Sequence, residues 1–154
     1  MAKYVVVEEK VETQTEKRLR IVIAVLYFIQ VLLLPLPLMH GDIEGGIGHR
    51  TALNLLFQYN GFNSFAEVMV AIYGAILIVM PIVSFFFFVL DKRSKKKYLV
   101  SVITCFLCAI IICFGVKETI AIGGVFTLIL EIVILFFTSL GFQATRMRER
   151  DALK

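Results

Sequence analysis

The chain has 154 residues, of which 59% are hydrophobic, with no Trp and a mean hydropathy of +0.87. Soluble domains sit nearer half apolar, with apolar residues dispersed by periodicity; here they gather into four blocks that leave no room for a soluble catalytic domain. The formal charge of +4 comes without a folded basic surface, so no nucleic-acid partner is expected.

Residues 1–20 (MAKYVVVEEKVETQTEKRLR) are mixed. Tyr4–Val7 favours strand but is too short to stand alone. Residues 1–20 are read as a solvated cytoplasmic arm, of which 12–20 can extend the first helix, with Glu12 and Glu16 facing Lys17 and Arg20. The twenty-residue charged, acid-containing segment ahead of the first apolar block, and the lack of a small-residue cleavage site after it, point to a retained anchor rather than a signal peptide.

The apolar blocks span residues 21–39, 65–90, 98–116 and 120–142. Each is near or above the roughly 18 residues needed to cross a bilayer. The first carries Gln30 near its centre and Pro35 and Pro37 near its end. Each proline removes a backbone donor and restricts the residue before it. A helix stopping at Leu34 spans only ~21 Å of a ~30 Å core, so LPLPL has to finish the crossing under cover of protein or water.

Residues 40–64 form the one sizeable outer loop, expected to be a flexible polar cap. His40, Asp42, Glu44 and His49 suit a metal by type, but their spacing matches no helical motif and no metal is expected. Thr51 can cap a short interfacial helix carrying Leu53, Leu56 and Phe57. Ser64 and Glu67 fit an S-x-x-E capping box at the start of the second span. In that span Ala71, Gly74, Pro81 and Ser84 share a small-residue face suited to close packing.

The third span has a matching face: Ser101, Thr104, Cys105, Cys108 and Gly115. Cys105-x-x-Cys108 lies within the apolar run, where a thiol stays protonated and inert, so packing is favoured over redox chemistry. Thr119 is a plausible N-cap for the fourth span. There Gly124, Thr127, Glu131 and Thr138 recur on one face.

Glu131 is the sharpest feature. A charge at mid-membrane costs roughly 2.5–3.5 kcal/mol even on the lenient scale. Gln30 lies at similar depth, and if the first and last spans are neighbours, amide and carboxyl can meet. Tyr27, Thr127 and Thr104 are candidates to join them. The expected form is the neutral acid, donating to the amide.

Charge distribution orients the chain. Five Lys/Arg precede the first span, five lie in residues 91–97, and four follow Phe142, leaving only Arg50 and Lys117 on the other side. This positive-inside bias puts both termini and loop 91–97 in the cytoplasm. The basic tail, residues 143–154, can meet anionic lipid. The chain is thus expected to be an all-α, multi-pass protein of the plasma membrane. Four helices form a compact bundle, N-in and C-in, over residues 21–142.

Nothing supplies a nucleophile with a base, a phosphate cradle or a cofactor site, so no enzyme and no cofactor are expected. The expected role is a subunit, scaffold or regulator acting through helix–helix contacts, with a membrane-protein partner or a second copy of itself. The alternative is a small proton- or cation-coupled transporter or channel using Glu131.

Overall fold

A computed structural model describes residues 12–43, 46–57, 65–92, 94–115 and 119–151. Helix α1 spans Gln14–Leu32, α2 Ala52–Phe57, α3 Phe65–Leu90, α4 Lys96–Ile110 and α5 Ile122–Asp151. Strands β1 (Met39–Ile43), β2 (Gly46–Arg50) and β3 (Thr119–Ile120) form a small antiparallel sheet in the order β2-β1-β3.

Helices dominate, and three stretches are long and apolar enough to cross a membrane: Val68–Leu90, Lys96–Phe114 and Ile122–Arg148. The first helix is not among them. Its N-terminal half carries Glu16, Lys17, Arg18 and Arg20, and it stops at Leu32, three residues before Pro35. Its apolar part, from Ile21, is only ~18 Å long.

Helix α1 packs on α3 and α5, and α4 packs on the same two. One end of the assembly gathers the start of α1, the end of α3, the start of α4 and the end of α5. Arg20 Nη1 donates to Phe88 O at 2.9 Å, Lys97 Nζ to Asp91 O at 3.0 Å, and Arg148 Nη1 pairs with Glu16 Oε2 at 2.8 Å. The expected extension of the first helix is present, but its side chains are not all solvated, and residues 1–11 of the arm lie outside the described residues. Residues 14–20 are helical, and Glu16 and Arg20 are buried. Thr13 and Glu16 form a reciprocal capping box that starts α1.

At the opposite end the glycine-rich loop is a hairpin rather than a loose cap. His40 pairs with His49 and Gly41 with Gly48 across β1 and β2, and His40 with Thr119 across β1 and β3. Strand pairing satisfies the backbone that a loop would leave to water. Thr51 accepts from Asn54 N at 3.1 Å at the start of α2. That helix buries Ala52 and Leu55 and turns Leu53 and Phe57 outward. It sits against α3 at Gly74, where a Cβ would stand 2.8 Å from Leu56 N.

The LPLPL segment is covered by α5. Ala121 N donates to Leu38 O at 2.9 Å and Gly123 N to Pro37 O at 3.0 Å. Unpaired N–H groups at a helix start thus meet carbonyls that the prolines left without helical partners. The approach needs glycine: a Cβ on Gly123 would lie 2.6 Å from Pro37 O, and one on Gly124 would collide with Leu38 O.

Two apolar clusters fill the interior. One joins Leu38, Met39, Ala52, Leu55, Leu77, Cys108 and Ile112 near the hairpin. The other joins Ile23, Tyr27, Phe88, Tyr98, Cys105 and Ile134 toward the basic end. Outside them every long helix exposes large apolar side chains, among them Phe28, Val79, Phe106 and Ile132. Soluble monomers rarely expose apolar surface on this scale, whereas a bilayer covers it at no cost.

Candidate functional site

The site forms where α1, α4 and α5 meet between the two clusters. Tyr27 and Gln30 lie one turn apart on the buried side of α1. Glu131 lies on α5, 2% exposed, and Gln30 is 3% exposed. Gln30 Nε2 donates to Glu131 Oε1 at 2.5 Å. The donor is therefore the amide, not the acid that the sequence suggested. Gln30 Oε1 and Glu131 Oε2 are both buried and make no hydrogen bond among the described residues.

The other three residues take different partners. Tyr27 Oη lies 2.7 Å from Ser101 Oγ and 3.6 Å from Cys105 Sγ, which ties α1 to α4. Ser101 Oγ lies 2.9 Å from Thr138 Oγ1 and extends that tie to α5. Thr104 Oγ1 lies 2.7 Å from Ser84 Oγ and joins α4 to α3. Thr127 Oγ1 donates to Gly123 O, four residues back on its own helix, at 2.8 Å. A void of about 10 Å³ touches Gln30, Leu34, Leu77 and Thr127. That is roughly the minimum for a single water.

The buried polar groups thus make three inter-helix ties: Gln30–Glu131, Tyr27–Ser101–Thr138 and Ser84–Thr104. Ser84, Ser101 and Thr138 stood on the small-residue faces in the sequence, with no signal that they would find one another. The strand Thr119 occupies excludes it as the N-cap of α5, which starts at Ile122. Ser64 lies outside the described residues, as does the side chain of Glu67, and with them the proposed capping box.

At the basic end the sequence missed a second site. Thr13-x-x-Glu16 has the same capping signature as Ser64-x-x-Glu67 and could have been read from it. Glu16 receives Thr13 N at 2.8 Å and Arg148 Nη1 at 2.8 Å. Arg20 Nε pairs with Glu12 Oε1 at 2.8 Å. The Arg148 link, 132 residues away, carries no local signal.

Cys105 and Cys108 are buried and Cys113 is exposed; all three are free thiols. Among the described residues no three His, Cys, Asp or Glu side chains are grouped to hold a metal. Comparison with family models, curated proteins and solved structures gives no match. The functional reading rests on the chemistry of these contacts.

Proposed function

We propose that the chain is a multi-pass plasma-membrane protein that works without catalysis, as a subunit, scaffold or regulator acting through helix–helix contacts. The observation that carries this reading is the Gln30–Glu131 pair. The one carboxylate at mid-membrane depth meets an amide from another helix, and the adjoining void has room for no more than about one water. Intramembrane polar pairs of this kind fix which helices meet and in what register.

Four crossings, with both termini and loop 91–97 cytoplasmic, belong to the same proposal. Two contacts support the fourth crossing. Glu16 meets Arg148 near one end of α5, and Pro37 meets Gly123 at the other. The first segment therefore runs beside about 25 residues of α5, or ~37 Å, which exceeds the ~30 Å hydrocarbon core. The charge count supports the orientation.

A second reading, proton or cation coupling by Glu131, draws on the hydroxyl series Tyr27–Ser101–Thr138, which leads from near the pair toward the basic end. One experiment separates the two. Purified chain is reconstituted in proteoliposomes and flux is followed under a pH gradient for wild type and Glu131→Gln. Under the structural reading neither protein carries flux, and a stoichiometric membrane partner or second copy is recovered on gentle extraction. Flux in the wild type, lost in Glu131→Gln with folding intact, overturns it in favour of coupling.

A further inference from the structure

Helices α4 and α5 line a groove of about 350 Å³ on the outer surface. Leu99 and Val102 line it from α4, and Leu135, Ser139 and Phe142 from α5, with Tyr98 at its floor. It opens sideways, among side chains that the membrane reading puts against lipid.

Helix spacing brings cations to its basic end. Arg146 follows Phe142 by four residues on α5 and is exposed, so it lies one turn further along the same face. Lys95 and Lys96 precede Leu99 by four and three residues, and Lys96 is exposed. A second groove of about 390 Å³, on α3, is lined by Val83, Phe86, Phe87 and Leu90 but ends on Asp91. The two grooves offer similar apolar room, but a carboxylate lines the second and none lines the first.

We propose that the α4–α5 groove binds one anionic phospholipid, with an acyl chain along Leu99, Val102, Leu135 and Phe142 and the headgroup phosphate on Arg146 and Lys96. The apolar trough accounts for the chain. Guanidinium and ammonium donors at the interface account for the preference for negative charge, through charge-assisted hydrogen bonds. The basic tail then has a specific ligand rather than a diffuse attraction to the surface.

The chain has no Trp, so Phe142→Trp creates a single emitter in the groove and Phe86→Trp a single emitter in the α3 groove. Each variant goes into phosphatidylcholine vesicles containing equal mole fractions of brominated phosphatidylglycerol or brominated phosphatidylcholine. One cation near the surface is worth about fivefold in preference. With Arg146 and Lys96 both on the headgroup, Trp at position 142 should therefore be quenched as though phosphatidylglycerol were about 25-fold enriched. Arg146→Gln in the same background should lower the ratio about fivefold, and Arg146→Gln with Lys96→Gln should bring it close to one. Position 86 should show little preference.

Equal ratios at positions 86 and 142, or a ratio at 142 that Arg146→Gln leaves unchanged, overturns the groove in favour of diffuse charge attraction. A readout without tryptophan guards against misfolding of the Trp variants. Native mass spectrometry of the unsubstituted chain, released from nanodiscs of equal phosphatidylglycerol and phosphatidylcholine, should retain one phosphatidylglycerol. Arg146→Gln should retain it less, and Arg146→Gln with Lys96→Gln should lose it. Retention of neither lipid, or of both equally, overturns the site. The inference rests on residence in a bilayer, and failure of the unsubstituted chain to float with vesicles overturns that premise separately.

Discussion

Gln30 and Glu131 stand 101 residues apart in the chain and meet at 2.5 Å between α1 and α5. The amide donates and the carboxyl accepts. A second amide in place of the carboxyl preserves the acceptor, so Glu131→Gln is expected to shift stability by less than ~1 kcal/mol. Glu131→Leu strands the Gln30 amide and should cost about 1–2 kcal/mol. Gln30→Leu combined with Glu131→Leu should recover most of that loss. Reversible unfolding in mixed micelles measures all three.

The approach of α5 to LPLPL makes its glycines sensitive to size. A Cβ on Gly123 falls 2.6 Å from Pro37 O, a backbone atom that cannot rotate away. Gly123→Val should therefore separate α5 from residues 36–38 and lower stability by about 2 kcal/mol or more. Ile122→Val is the matched control, since Ile122 is 63% exposed. Thermal melting of the detergent-solubilised protein compares them; equal melting would mean that the close approach is absent.

Glu16 joins two structures at once, the cap of α1 and the end of α5. Thr13→Ala should cost about 1 kcal/mol through the cap alone. Arg148→Ala leaves the Glu16 carboxylate buried beside a weakened network. Because the two residues share Glu16, their effects should not add: a double-mutant cycle should show a coupling of ~0.5 kcal/mol or more. Additivity within error would place the Arg148 contact outside the folded state in solution.

The orientation is open to labelling. With Cys105, Cys108 and Cys113 replaced by Ser or Ala, a cysteine at Gly45 should react with a membrane-impermeant maleimide added outside intact cells. A cysteine at Ser94 should react only after permeabilisation. The reverse pattern inverts the topology that the charge count predicts.

The second buried tie, Tyr27–Ser101–Thr138, predicts a graded series. Tyr27→Phe removes the hydroxyl and keeps the ring against Phe88, for a cost of ~0.6 kcal/mol. Tyr27→Ala also empties a fully buried ring site and should cost about 3–5 kcal/mol. A similar loss for both would assign the residue's contribution to its hydroxyl rather than its packing.

Helices long and apolar enough to cross a membrane, and the polar residues of the site, were legible from the sequence. Long apolar runs fix the helices because hydropathy and backbone satisfaction are properties of contiguous residues. Glu131 and Gln30 stood out because an ionisable or amide side chain at that depth is costly without a partner. The shared faces of Ser101, Thr104 and Cys105 were legible because helical periodicity alone places them.

Partner choice was not legible. Thr104 and Thr127 were grouped with Glu131 by depth, yet one bonds Ser84 on α3 and the other its own helix. Depth is set by position along a helix, but contact depends on rotation and on which helices are neighbours. The glycine-rich loop misled for a related reason. Its glycines and Asp42 disfavour strand despite Ile43 and Ile47, and pairing of β1 with both β2 and β3 makes them strands.

The sequence by itself determined that the chain is built from apolar helices and carries one carboxylate in the middle of the last apolar run, because both are properties of contiguous residues. The tertiary structure decided that α1 and α5 are neighbours, that α5 covers the proline segment through Gly123, and that Glu131 faces Gln30. Those outcomes depend on contacts between residues far apart in the chain, formed together when the helices pack.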